Sequence, residues 1–102
     1  MNMKQISHWI NGSVSTEKSD RSGNVYNPAT GQITGSVTFA SNETVDIAVQ
    51  VSVTAFKEWR HSSLTKRTQV LFSFRELFNQ NKGKIAELIT AEHGKVLLDA
   101  LS

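Results

Sequence analysis

The chain has no cysteine anywhere in its 102 residues, and Pro28 is its only proline. Without cysteine there is no disulfide, no thiolate zinc site and no thiol nucleophile. The start, "MNMKQISHWING", has no apolar stretch of the kind a secretion signal needs, and no run approaches membrane-spanning length. Two matches to the glycosylation pattern, Asn11-Gly12-Ser13 and Asn42-Glu43-Thr44, are therefore read as chance, and the expected compartment is the cytoplasm. Charge of one sign is also missing as a block. Eleven basic residues face nine acidic ones with the signs interleaved, for a net charge of +2. A general nucleic-acid surface requires clustering, so neither nucleic acid nor membrane is expected as a partner.

What is present fits one modest domain, able to bury about two-thirds of its unfolded surface. The pattern changes near residue 40. Before it, "QISHWINGSVST" alternates around Asn11-Gly12, a pair that favours a tight hairpin turn because both residues tolerate positive φ. A polar link, "EKSDRSG", follows. A second hairpin is expected in "NVYNPATGQITGSVTFA", where Pro28 fixes φ for the turn and Gly31 takes the left-handed position that ends it. Ile33, Val37 and Phe39 share one face of the return strand, and Gly35 between them marks a close backbone approach. Residues 1–40 thus read as short antiparallel β-hairpins.

Residues 41–102 read as a helical segment. In "NETVDIAVQVSVTAFKEWR" alternate residues from Val45 to Ala55 are apolar, as in a strand. Val45, Ala48, Val49, Ser52, Val53, Phe56 and Trp59 also form one helical stripe. About 18 residues without a turn signal is long for a strand and ordinary for a helix, so a helix is expected. Ser41 or Asn42 can cap it, and Glu43 and Asp46 suit its dipole. From Ser63, Val70, Leu71, Phe74, Leu77 and Phe78 lie at helical spacing. "NQNKGK" is expected to bend this helix around Gly83, after which Ile85, Leu88 and Ile89 resume the apolar face. Gly94 fits the position just past a helix end, with His93 and Lys95 suited to the negative end of the dipole. The fold class is therefore α+β, with hairpins followed by three or four amphipathic helices.

Candidate sites are few. Gly94-Lys95 is not a phosphate loop, because Ile89 stands where that motif needs glycine and Val96 where it needs Ser or Thr. No two of the six glycines stand two apart, so the dinucleotide fingerprint is missing. His8, His61 and His93 are scattered and belong to no zinc pattern. Glu92 and His93 pair an acid with a base, yet neighbours on a helix point about 100° apart and cannot share a face. Trp9 and Trp59 read as core or interface residues, while Lys66, Arg67, Lys82 and Lys84 would carry a third reading, nucleic-acid binding with an affinity that falls steeply with salt. No catalytic, cofactor-binding or metal residue is assigned.

The order of motifs carries more than any one of them. "HWING", "NPATGQITGSV", a helix ending "AFKEWR", then "TKRTQVLFSFRELFNQNKGKIAELITAEHGKVLLDA" resembles the beginning of an aldehyde dehydrogenase from about His8 to Ser102. Within that superfamily "LITAEHGKVLLDA" is most similar to the CoA-acylating methylmalonate-semialdehyde dehydrogenases of valine and inositol breakdown. The resemblance implies oxidation of an aldehyde through a cysteine thiolate, hydride transfer to NAD and release of the acyl group to CoA. It places the thiolate and the dinucleotide-binding unit after the matched region. It implies that these residues are an incomplete N-terminal part of the cofactor-binding domain, inactive alone, binding neither NAD nor CoA themselves. The expected partners are the rest of the dehydrogenase chain and its subunits, homo-oligomeric in the family. Val96, Leu97, Leu98, Ala100 and Leu101 open a further apolar helix that stops at Ser102, which reads as a fragment or a truncated reading frame. A helical module that docks on an intact dehydrogenase subunit, or on itself, is the alternative.

Overall fold

The computed structural model describes residues 3–15 and 19–102. Five short strands precede four helices: β1 (Lys4–Ile6), β2 (Trp9–Ile10), β3 (Ser13–Val14), β4 (Ser22–Tyr26), β5 (Ile33–Thr38), α1 (Asn42–Trp59), α2 (Leu64–Gln80), α3 (Lys82–His93) and α4 (Leu97–Leu101). By internal contacts the chain divides into two units. One holds the strands and α1, ending at His61; the other holds Asn27–Gly31 with residues 62–102.

In the first unit, β2 and β3 pair antiparallel with Ile10 opposite Ser13. The two residues between them, Asn11 and Gly12, have φ of 55° and 79°. Both central residues of the turn are thus left-handed, which matches the twist of the flanking strands. Ser15 N–H donates to the His8 carbonyl at 2.7 Å, extending the hairpin by one rung. The hairpin does not reach back to Gln5, however. β1 leaves it and pairs in parallel with β5, Lys4 opposite Gly35 and Ile6 opposite Val37. The β region is therefore not all antiparallel: the larger sheet runs β1-β5-β4, with only β4–β5 antiparallel. Parallel partners lie far apart in sequence, so no local turn signal announces them.

Gly35 explains why the sheet closes there. It is buried, and a Cβ at its position would stand 2.8 Å from the Lys4 carbonyl oxygen. Of the expected polar link at residues 17–23, Glu17 and Lys18 lie outside the described residues, as does Thr16, and Ser22 and Gly23 already pair with β5. Arg21 ties the strand ends together. Its guanidinium donates to the Ala40 carbonyl at 3.1 Å, and its carbonyl accepts from Phe39 N–H at 2.9 Å.

The β/α ambiguity at 42–59 resolves to helix. Ser41 is the cap: extended at φ −77°, ψ 166°, its hydroxyl accepts from Thr44 N–H at 3.1 Å. The Thr44 hydroxyl lies 2.9 Å from the same oxygen, and Thr44 is buried.

In the second unit, Ser63 caps α2 by accepting from Lys66 N–H at 3.1 Å. The helix ends at Asn81, two residues before the expected bend at Gly83. The Asn81 side chain donates to the Leu77 carbonyl at 2.8 Å, competing with the backbone ladder, and φ −107°, ψ 11° starts a new helix. Gly83 sits within the first turn of α3. The α3 end is as expected: Gly94 has φ 85° and its N–H donates to the Thr90 carbonyl at 2.9 Å. α4 packs back on α3, where Ala86 is the one fully buried apolar residue among those described.

Candidate functional site

Glu92, His93, Gly94 and Lys95 are all exposed, at the terminus of α3. Gly94 makes the left-handed cap, so the quartet ends a helix and brings no acid and base onto one face. Lys66 and Arg67 lie exposed on α2, and Lys82 and Lys84 exposed on α3. Among the described residues no three His, Cys, Asp or Glu side chains stand close enough to share a metal ion. No helix among them is long and apolar enough to cross a membrane.

The link from β5 to α1 is the one strand-to-helix turn in the first unit, the kind of place where dinucleotides are bound. It does not fit one. Residues 39–42, Phe-Ala-Ser-Asn, include no glycine, and the Ser41 hydroxyl already accepts the Thr44 N–H that a phosphate would need. No step through NAD is assigned to these residues.

A groove of about 660 Å³ adjoins this turn in the first unit. One wall is His8, Trp9 and Ile10 of the β2 approach. The other is Ala40 and the α1 stripe Thr44, Val45, Ala48, Val49, Ser52, Val53 and Phe56. Its lining is apolar, and its polar groups are mostly spent internally. Ser52 donates to the Ala48 carbonyl at 2.9 Å, and Thr44 pairs with Ser41. His8 differs: its Nε2 is buried and has no hydrogen-bond partner among the described residues. The sequence showed the α1 stripe and an apolar Trp9-Ile10, but gave no sign that the two face one groove.

A groove of this kind has apolar area for contact and too few polar groups for chemistry. Trp9 is 71% exposed, Phe56 57% and Val49 51%, so the walls are open.

Comparison with known proteins gives these features a context. The family model "Aldehyde dehydrogenase family" matches residues 14–102. The malonate-semialdehyde dehydrogenase of Pseudomonas aeruginosa is 40% identical over 98 residues, and that of Bacillus subtilis strain 168 is 35% identical over 99. These matches cover 96% and 97% of this chain but 20% of each relative. The methylmalonate-semialdehyde dehydrogenase of Oceanimonas doudoroffii superposes with a TM-score of 0.92 at 44% identity, covering 97% of this chain and 20% of that one. A protein of Sinorhizobium meliloti 1021 assigned to the same activity, crystallised with NAD, superposes at 0.93 with 34% identity, covering 98% and 20%. The chain thus spans about one-fifth of the length of the relatives it matches. Strands followed by four helices, in the arrangement that opens those structures, place the chain in the aldehyde dehydrogenase family.

Proposed function

We propose that this chain is the N-terminal part of an NAD-dependent, CoA-acylating dehydrogenase of malonate or methylmalonate semialdehyde. The carrying observation is the backbone match, at TM-scores of 0.93 and 0.92 over nearly the whole chain, to two proteins bearing the methylmalonate-semialdehyde dehydrogenase name. The NAD in one of those crystals supports the cofactor. CoA as acyl acceptor and a place in valine breakdown rest on the resemblance of "LITAEHGKVLLDA" alone.

In this reading the 102 residues form an outer part of the cofactor-binding domain in a cytoplasmic, homo-oligomeric enzyme, and do none of the chemistry. They hold no cysteine, and the β5–α1 turn is closed to a phosphate by its own cap. Their contribution is to bring apolar helix faces to the body that carries the thiolate and the dinucleotide.

The test has two parts. The intact mass of the native protein containing "NPATGQITGSVTFASNETVDIAVQVSVTAFK" is expected to be several times 11.3 kDa. That protein should reduce NAD with methylmalonate semialdehyde and form an acyl-CoA, while the 102-residue chain should not. Aldehyde-dependent NADH from the chain alone overturns the reading, as does a longer protein that ignores CoA.

A second reading, a separate module that docks through its helices, is favoured by the exposure of Leu71, Phe72 and Phe74 on α2. It expects a native mass of 11.3 kDa and a complex with a dehydrogenase subunit.

A further inference from the structure

Asn11 and Gly12 make up the whole loop between β2 and β3, and both are exposed, with φ of 55° and 79°. A Cβ built on Gly12 would meet nothing within 4 Å, so the space beside its backbone is open. Asn11 also lines an open groove of about 350 Å³ with Gln50, Val51, Thr54 and Ala55 of α1, which leaves its side chain room to move. Among the described residues no hydrogen bond holds the Asn11 carboxamide or the Gly12 N–H.

An asparagine carboxamide can be attacked by the backbone nitrogen that follows it, closing a succinimide ring. A side chain on the next residue hinders that approach, and glycine has none. No other asparagine in the chain precedes glycine. Pro28, after Asn27, has no N–H to react. Asn24 and Asn81 hold their amides on Tyr26 Oη at 3.4 Å and on the Leu77 carbonyl at 2.8 Å. Asn42 and Asn79 lie in helices, where the hydrogen-bond ladder fixes the backbone.

We propose that Asn11-Gly12 is a site of spontaneous covalent modification, at which Asn11 becomes isoaspartate or aspartate and the isoaspartate opens the β2–β3 hairpin. Hydroxide removes the Gly12 amide proton, and the nitrogen bonds to Asn11 Cγ. The bond from Cγ to Nδ2 breaks, and ammonia leaves with a proton from water. Water then opens the ring. Breaking the new bond between Cγ and the Gly12 nitrogen gives aspartate on an unchanged backbone. Breaking the original peptide bond instead routes the chain through Cβ and Cγ, which gives isoaspartate. Nothing is oxidised or reduced, and water is the sole co-reactant.

Both products add a carboxylate, but only isoaspartate lengthens the main chain. A two-residue turn sets the register of its strands, so an added methylene breaks the match of Ile10 with Ser13. Little resists this, because the ladder is Trp9 with Val14, Ile10 with Ser13 and the rung from Ser15 to His8. A hairpin this short also opens locally, which gives the attack its opportunity. None of this depends on the family reading.

The native protein containing the hairpin is aged at mildly acidic and mildly alkaline pH, then digested with trypsin. The peptide QISHWINGSVSTEK, residues 5–18, carries Asn11 as its single asparagine. Chromatography separates the isoaspartate and aspartate forms, and electron-transfer fragmentation tells them apart. Conversion at Asn11 should exceed that at any other asparagine about tenfold or more. It should rise about tenfold per pH unit, because one proton leaves before attack. In amide exchange, the isoaspartate form should lose protection at Ser15 N–H, whereas freshly made Asn11→Asp should keep it.

Conversion at Asn11 no faster than elsewhere overturns the proposal. So does conversion that occurs only in urea, which would show that the left-handed turn locks the side chain away from Gly12. Aspartate without isoaspartate, or isoaspartate with Ser15 still protected, overturns the opening of the hairpin.

Discussion

Gly94 lies against Pro28: a Cβ built on Gly94 would stand 3.3 Å from Pro28 Cγ and 3.4 Å from its Cβ. The Asn-Pro-Ala-Thr-Gly turn and the α3 cap, 66 positions apart, therefore meet in the second unit. The turn is prepared for the contact. The Asn27 side chain accepts from Ala29 N–H at 2.8 Å, and the Asn27 carbonyl accepts from Gly31 N–H at 2.8 Å. Glycine at 94 thus serves twice, for its φ of 85° and for its missing side chain.

Gly94→Ala should destabilise the chain by about 1–2 kcal/mol for left-handed backbone, with crowding at Pro28 added. Gly31→Ala, at φ 75° with nothing within 4 Å, should lose only the backbone part, about 1 kcal/mol. Urea titrations followed by circular dichroism compare the two. An equal loss would show that the Pro28 contact carries no weight.

Gly35→Ala should separate β1 from β5, since the new methyl would meet the Lys4 carbonyl oxygen at 2.8 Å, and backbone cannot swing aside as a side chain can. The expected loss is about 1–3 kcal/mol. Amide exchange is the sharper readout: protection should fall at Gln5 and Ile6 and persist where β4 pairs with β5. Retained protection in β1 would count against the close approach.

Ser41→Ala removes the hydroxyl that accepts from Thr44 N–H and pairs with the Thr44 side chain, leaving a buried hydroxyl with one partner fewer. A loss of about 1–2 kcal/mol is expected. Ser41→Asp should recover most of it, because a carboxylate can accept the same N–H and suits the helix dipole. Failure of the aspartate to rescue would mean that the Thr44 hydroxyl contact, rather than the cap, sets the stability.

The exposed apolar face of α2 predicts that the isolated chain binds a hydrophobic dye and self-associates. Leu71 is 67% and Phe74 64% exposed. Phe74→Glu should reduce dye binding and raise solubility with little change in helix content, measured by fluorescence and sedimentation. A collapse of helicity would show Phe74 to be a packing residue in this chain.

The parts of the fold written locally were legible in the sequence. Asn11-Gly12 announced its turn, Ser63 its helix start and Gly94 its helix end, because each depends on a few neighbouring dihedral angles. Gly35 marks a close backbone approach in the sequence, but nothing nearby names the Lys4 carbonyl as the neighbour. The parallel pairing of β1 with β5 escaped for the same reason. At 80–83 the local signal is Gly83, whereas it is Asn81 whose side chain competes for the Leu77 carbonyl where the helix ends. The groove was half legible. Period fixed the α1 stripe, whereas the position of His8 and Trp9 across from it depends on where β1 is anchored.

The parallel strand also sets an order of events during synthesis. Lys4 leaves the ribosome before Gly35, its partner, so β1 can join the sheet only once β5 exists. β1 is thus made before β4 and β5, yet has no partner in this sheet until β5 follows. Anything that holds β1 during that interval, such as a chaperone, would delay closure of the sheet without touching a single helix.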